Sequence, residues 1–145
     1  MLRKWSVLAA MMAPMAALTV GLAWADDDAS PLHKMMETVN KKNNEISKGV
    51  RSPVNFKKAQ ADVVKAAKEL SKLGKEFRDD KTSVAKSKEP GATQEKWVAL
   101  MDDFVKVSDK LAEVSEKEGQ AQAKEAHTAV KKSCSECHKV FRVDE

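Results

Sequence analysis

Apolar residues recur at helical spacing along most of the chain after residue 30. Steps of three and four residues between them place the apolar side chains on one face of a helix. The first such run follows Ser30 and Pro31, which are typical of a helix N-terminus, and ends near Gly49. Its predicted inward positions are Leu32, Met36, Val39, Asn43, Ile46 and Val50. Asn43 is the only polar residue in that row.

Three further runs follow the same pattern. Ser52-Pro53 is predicted to cap the second helix and Thr93 the third, and a fourth helix is predicted from about Ala121 to Arg142. Segment 79–92 contains few apolar residues and a Pro-Gly pair that breaks any helix, so it predicts the least ordered connection. The inward positions of the last three helices are Phe56, Ala59, Val63, Ala66, Ala67, Leu70, Leu73 and Phe77, then Trp97, Leu100, Met101, Phe104, Val107, Leu111 and Val114, then Ala126, Val130, Cys134, Cys137 and Phe141. No alternating strand pattern occurs, and the pattern predicts an all-α, antiparallel four-helix bundle.

The N-terminus has the features of a secretory signal peptide. Arg3 and Lys4 precede an apolar stretch, and Ala23-Trp24-Ala25 offers the small residues of a cleavage site. The stretch approaches the length of a membrane span, so an uncleaved anchor is the alternative. We expect residues 1–25 to be removed on export to the periplasm. Residues 26–30 are then a polar lead-in, and residues 31–145 form a single domain.

Charge excludes one class of function. Of the 26 basic residues two lie in the predicted leader, which leaves 24 against 22 acidic residues. The two signs alternate along the chain without interleaved aromatic residues, so nucleic-acid binding is not expected. After the leader, no stretch is apolar enough to cross a membrane.

The candidate chemistry lies near the C-terminus, in Cys134-Ser135-Glu136-Cys137-His138. Cys-x-x-Cys-His is the pattern for covalent attachment of haem, in which each thiol joins one vinyl group and the His reaches the iron. A redox disulfide and half of a zinc site are the alternatives. A zinc site would need His33 or His127, which lie at none of the usual spacings. A thioredoxin-like motif follows a strand, and none is predicted here.

A haem-attachment motif on the last helix of a four-helix bundle resembles the class II c-type cytochromes, the cytochrome c′ family and its low-spin relatives. The local match is Cys134-x-x-Cys137-His138-x-x-Phe141-Arg142, in which an aromatic and a basic residue end the motif. Lys48-Gly49, followed by a proline and an aromatic residue, resembles the family's turn between the first two helices. The resemblance spans about residues 31–142. The family often has an arginine early in its first helix, and this chain has none there.

The resemblance implies one haem c, held through thioethers to Cys134 and Cys137 with His138 as the proximal iron ligand. Phe141 would pack on the haem. Arg142 would tune the iron or bind a propionate. The alternative for Arg142 is a basic residue that is favourable at any helix C-terminus.

In the family, the residue on the distal side of the iron lies in the first helix. Counting back from Lys48-Gly49 without a gap places it at His33, and one turn of slippage places it at Met35 or Met36. Met36 lies on the predicted inward row and is the first candidate, with His33 second, because both imidazole and thioether can bind haem iron. An apolar, non-ligating distal residue is the third possibility. His127 lies about 16 Å along the helix from His138 and is too far away to reach the same iron.

Two functions are compatible with these features. The first is a soluble periplasmic electron carrier that exchanges single electrons with redox partner proteins. The alternative is a five-coordinate haem protein of the cytochrome c′ type that binds NO or CO. We expect no enzymatic activity, because no acid–base groups are placed for it. The resemblance also permits a homodimer.

Overall fold

The computed structural model describes residues 30–142, which form five α-helices and no β-strand. The helices are α1 (Pro31–Gly49), α2 (Pro53–Glu76), α3 (Thr82–Lys86), α4 (Gln94–Lys117) and α5 (Gln120–Phe141). The four long helices pack in chain order, α1 on α2, α2 on α4 and α4 on α5. The predicted all-α four-helix bundle is confirmed. None of the helices in this part of the chain is long and apolar enough to cross a membrane, and the predicted leader lies outside the described residues.

Three of the long helices begin where the sequence predicts. At Ser30, Ser52 and Thr93 the side-chain hydroxyl accepts a hydrogen bond from the backbone N–H three residues later, each at 3.2 Å. A proline follows each of the two serines and lacks the N–H that the first turn cannot use. Local capping chemistry therefore determines these starts.

The connection between α2 and α4 is more ordered than predicted, because it contains α3. The carboxylate of Asp80 accepts hydrogen bonds from both the backbone N–H and the hydroxyl of Ser83. Val84 packs against an apolar cluster that contains Trp97, Met101 and Phe141. A local cap and one apolar contact thus stabilise a short helix inside segment 79–92, where the sequence predicted none.

The core consists of two clusters. The main cluster runs along the bundle and contains Met35, Val39, Ile46, Val50, Phe56, Val63, Ala66, Ala67, Leu70, Phe104, Leu111, Ala112, Ala123 and Val130. The second cluster, which we call the Trp97 cluster, contains Trp97, Met101 and Phe141 near the C-terminal end of α5. The indole of Trp97 donates a hydrogen bond to the backbone carbonyl of Phe77 at 2.9 Å. Leu32 packs against both clusters and joins them at the start of α1.

Val39, Ile46 and Val50 are buried as predicted, but the two methionines of α1 differ from the prediction. Met35 is only 3 % exposed, whereas Met36 is half-buried, although the sequence placed Met36 inward and Met35 about 100° away. The reason is that α1 packs chiefly on α2, where Lys42 pairs with Glu69 at 3.1 Å. Residues seven apart lie on nearly the same side of a helix. Met35 therefore shares the α2 side with Lys42, and Met36 shares the other flank with Asn43.

Candidate haem-attachment site

Helix α5 carries both cysteines one turn apart, and both are free, half-buried thiols. Cys134 packs against the main cluster, and Cys137 packs against the Trp97 cluster. His138 follows at about 100° around the helix, and much of its side chain, though not all of it, is exposed. The two thiols thus share one apolar face between the clusters, with an imidazole beside them.

The state of the thiols argues against a redox disulfide. Burial raises the pKa of Cys134, and burial together with the neighbouring Cys134 raises the pKa of Cys137 to about 11. Both groups are therefore protonated thiols at neutral pH. Redox-active Cys-x-x-Cys pairs instead depend on a thiolate with a lowered pKa. Within residues 30–142, no group of three His, Cys, Asp or Glu side chains could hold a metal ion.

The imidazole of His138 is suited to bind iron. Partial burial and the positive charge of Arg142 lower its pKa, so the ring is neutral at pH 7. A neutral ring has the free nitrogen lone pair that metal binding requires. Two thiols at the attachment spacing, a neutral imidazole and apolar surroundings fit a covalently attached haem.

Phe141, the last residue of α5, makes an aromatic contact with Trp97 of α4. Phe141 is 6 % exposed, and the Trp97 ring meets it edge-on with 5.1 Å between ring centroids. A cavity of about 80 Å³ lies beside Phe141, and its walls include Leu32 and Ser83. Phe141 is therefore a core residue next to the attachment motif. That it packs on the haem stays a prediction.

Side-chain hydrogen bonds join α1 to α5. His127 Nε2 donates to Asn43 Oδ1 at 2.7 Å, and Gln120 Nε2 donates to the backbone carbonyl of Val50. The backbones of α1 and α5 otherwise approach each other at few positions within the described residues. His127, only 2 % exposed, is thus a partner for the one polar position that the sequence placed on the inward row of the first helix. The unexplained Asn43 was the available signal, and sequence reasoning missed its partner.

These two hydrogen bonds define the register of α1 against α5. Asn43 and Val50 are seven residues apart, and so are His127 and Gln120, in the opposite direction. The helices are therefore antiparallel. A step of seven residues from Asn43 toward the N-terminus of α1 reaches Met36, and the same step from His127 toward the C-terminus of α5 reaches Cys134. Met36 and Cys134 therefore lie at the same level.

The distal candidates occupy three different environments. Met36 is half-buried on the flank of α1 that faces α5, and it packs against the main cluster. Met35 lies within that cluster on the α2 side. His33 is exposed, and its Nε2 lies 3.6 Å from Glu37 Oε1. This geometry favours Met36, and the identity of the distal ligand stays a prediction.

A protein-family model described as cytochrome c′ matches residues 27–142. The match covers most of the chain, and the protein belongs to the cytochrome c′ family of haem-binding c-type cytochromes. None of the curated proteins or solved structures compared with the chain gave a significant match. The resemblance inferred from the motif and the helix pattern is confirmed.

Burial of His127 predicts a pH-dependent stability. Burial, with a smaller contribution from Lys131, lowers its pKa from 6.5 to about 4. Between pH 6.5 and pH 4, His127 binds a proton in the unfolded chain but not in the folded chain. The free energy of unfolding therefore decreases as the pH falls from about 6.5 to about 4, and this loss is complete below about pH 4. The loss is about 3 kcal/mol.

Denaturant unfolding of the wild type and of His127→Gln between pH 7.5 and pH 4 measures this contribution. The glutamine keeps an N–H donor but does not titrate. We expect the difference in unfolding free energy between the two proteins to shift by about 3 kcal/mol in favour of the variant as the pH falls. A constant difference across this range would show that His127 does not carry the effect.

Proposed function

We propose that the protein is an exported, non-enzymatic electron carrier that holds one haem c through thioethers to Cys134 and Cys137. The observation that carries this proposal is the pair of half-buried thiols on α5, one turn apart and beside the imidazole of His138, in a helix register that brings Met36 of α1 level with Cys134. Bound haem would supply a one-electron iron couple.

The residues of this chain would do the holding and the shielding. Cys134 and Cys137 would each add to one vinyl group, and the neutral ring of His138 would bind the iron. The Trp97 cluster lies directly against Cys137 and would keep water from one part of the site. An apolar shell limits solvent access and influences the reduction potential of the metal it surrounds.

The carrier assignment depends on a second iron ligand, for which Met36 is the first candidate. Side chains on a helix tilt toward its N-terminus, and α1 and α5 are antiparallel. Met36 therefore tilts toward the level of His138, while His138 tilts toward the level of Met36. A thioether ligand raises the reduction potential. His33 is the second candidate, but it would have to leave Glu37 and turn inward.

Leu32 supports the alternative function. The register of α1 against α5 brings Leu32 level with His138, and Leu32 is a partly buried apolar residue that packs against both clusters. If Leu32 rather than Met36 covered the distal side, the iron would be five-coordinate and open. The protein would then bind NO or CO.

The spin state of the purified protein tests the proposal. We expect a low-spin ferric spectrum and little CO binding by the ferrous form, because a sixth protein ligand occupies the distal side. Intact mass of the exported protein reports the number of haems and the loss of residues 1–25 in one measurement. A high-spin protein that binds CO readily would replace the carrier with the gas-binding alternative, and a mass without haem would contradict both.

A further inference from the structure

We propose that Asn43 and His127 are positioning residues, whose hydrogen bond sets the register of α1 against α5 and so holds Met36 level with Cys134. The inference rests on the proposed function, because it concerns the placement of a ligand for an attached haem. Neither residue touches the attachment site itself. Each lies seven residues, about 10 Å along its helix, from the group that it positions.

The register of α1 needs a directional contact. Apolar contacts are non-directional, so an apolar row alone discriminates weakly between positions that differ by one helical turn. The backbones of α1 and α5 meet at few points in the described part of the chain, so apart from the packing of α1 on α2, few contacts fix the position of α1 against α5. A shift of one turn, about 5.4 Å, would replace Met36 by Leu32 or by Asn40 at the level of Cys134.

The hydrogen bond between Asn43 and His127 supplies that direction. His127 is 2 % exposed, so its ring nitrogen has little access to water that could replace Asn43 as the acceptor. A buried donor that loses its acceptor is costly, which makes the shifted register unfavourable. Single buried polar residues are known to specify helix register in this way. The bond from Gln120 to the Val50 carbonyl belongs to the same register and supports it at the end of α1.

The variant Asn43→Leu tests the proposal in the haem-loaded protein, because leucine has a similar size and no acceptor. We expect the ratio of low-spin to high-spin ferric haem to fall about tenfold, because the variant loses one hydrogen bond that stabilises the native register. The reduction potential should fall and CO binding should increase. Adding Gln120→Ala should increase the effect. The exchanged pair Asn43→His with His127→Asn restores a donor and an acceptor and should recover the spectrum.

The matched control is Gln60→Ala. Gln60 Nε2 donates to the backbone carbonyl of Ser115 at 2.8 Å, and this bond joins α2 to α4 without involving α1 or α5. We expect this variant to lose stability to a similar extent and to keep the wild-type spectrum and potential. If Asn43→Leu does not accumulate, Asn43→Ala removes the same acceptor and is measured in its place.

The outcomes separate the inference from the proposed function. A low-spin wild type, together with an Asn43→Leu protein that loses stability but keeps its spectrum and potential, would overturn the positioning role and leave the carrier intact. A high-spin wild type would overturn both. Loss of the low-spin signal in Asn43→Leu but not in Gln60→Ala, with recovery in the exchanged pair, would establish the role.

Discussion

Replacing Met36 by alanine is expected to convert the ferric haem from low-spin to high-spin. Alanine has no group that can bind iron, so the distal position opens and the ferrous protein should bind CO readily. If another side chain or water takes the position, the reduction potential should fall, because a thioether ligand raises it. Absorption spectra of the ferric, ferrous and CO-treated protein, with a redox titration, measure these changes.

Met35→Ala and His33→Ala are the matched controls for this prediction. Met35 is 3 % exposed in the main cluster, so its truncation should reduce stability by about 2–5 kcal/mol without changing the spin state. His33 is exposed beside Glu37, and its replacement should change neither property. A change of spin state in His33→Ala alone would instead identify a bis-histidine site, and the same change in Met35→Ala alone would show that α1 turns its other methionine to the iron.

Replacing both cysteines, as Cys134→Ala with Cys137→Ala, should abolish covalent haem. The only two thiols of the chain are then absent, so no thioether can form. We expect the protein after acid–acetone extraction to be colourless, whereas the wild type keeps its haem spectrum. The yield of folded protein should also fall strongly, because an attached haem would contribute apolar surface between α1 and α5, whose backbones approach each other at few positions in the described residues.

Ser135→Ala is the control within the motif. Ser135 is exposed, and its hydroxyl donates a hydrogen bond to the backbone carbonyl of Lys131, one turn earlier in the same helix. We expect this variant to keep haem and fold. A stable haem-free bundle from the double cysteine variant would show that the two apolar clusters hold the four helices together without a cofactor.

Local chemistry made much of the fold predictable. The starts of three helices depend on one hydroxyl each, and the sequence alone identifies Ser30, Ser52 and Thr93 as caps. The short helix α3 was missed because it depends on Asp80 and on the packing of Val84 against a residue of another helix. A segment of five residues has too few positions to show a period.

The partners of each helix face were not predictable from periodicity. A repeat of three and four residues locates the apolar face of a helix but does not show which other helix that face contacts. Adjacent residues can face different helices, as Met35 faces α2 and Met36 faces α5. The pairing of Asn43 with His127, which lie 84 residues apart in sequence, depends on the register of two helices, and periodicity within one helix does not specify that register. The attachment motif could be read directly, because its spacing is fixed by the haem rather than by the fold.

The position of Trp97 gives the protein its own optical probe. It is the only tryptophan outside residues 1–25, it is 1 % exposed, and it lies in the same cluster as Cys137. An excited indole in a dry, rigid environment emits at short wavelength, and a haem a few ångströms away would absorb that emission by energy transfer. The fluorescence of one residue would therefore report haem attachment: Trp97 would emit in any molecule that lacks the cofactor and would be quenched once the cofactor is attached.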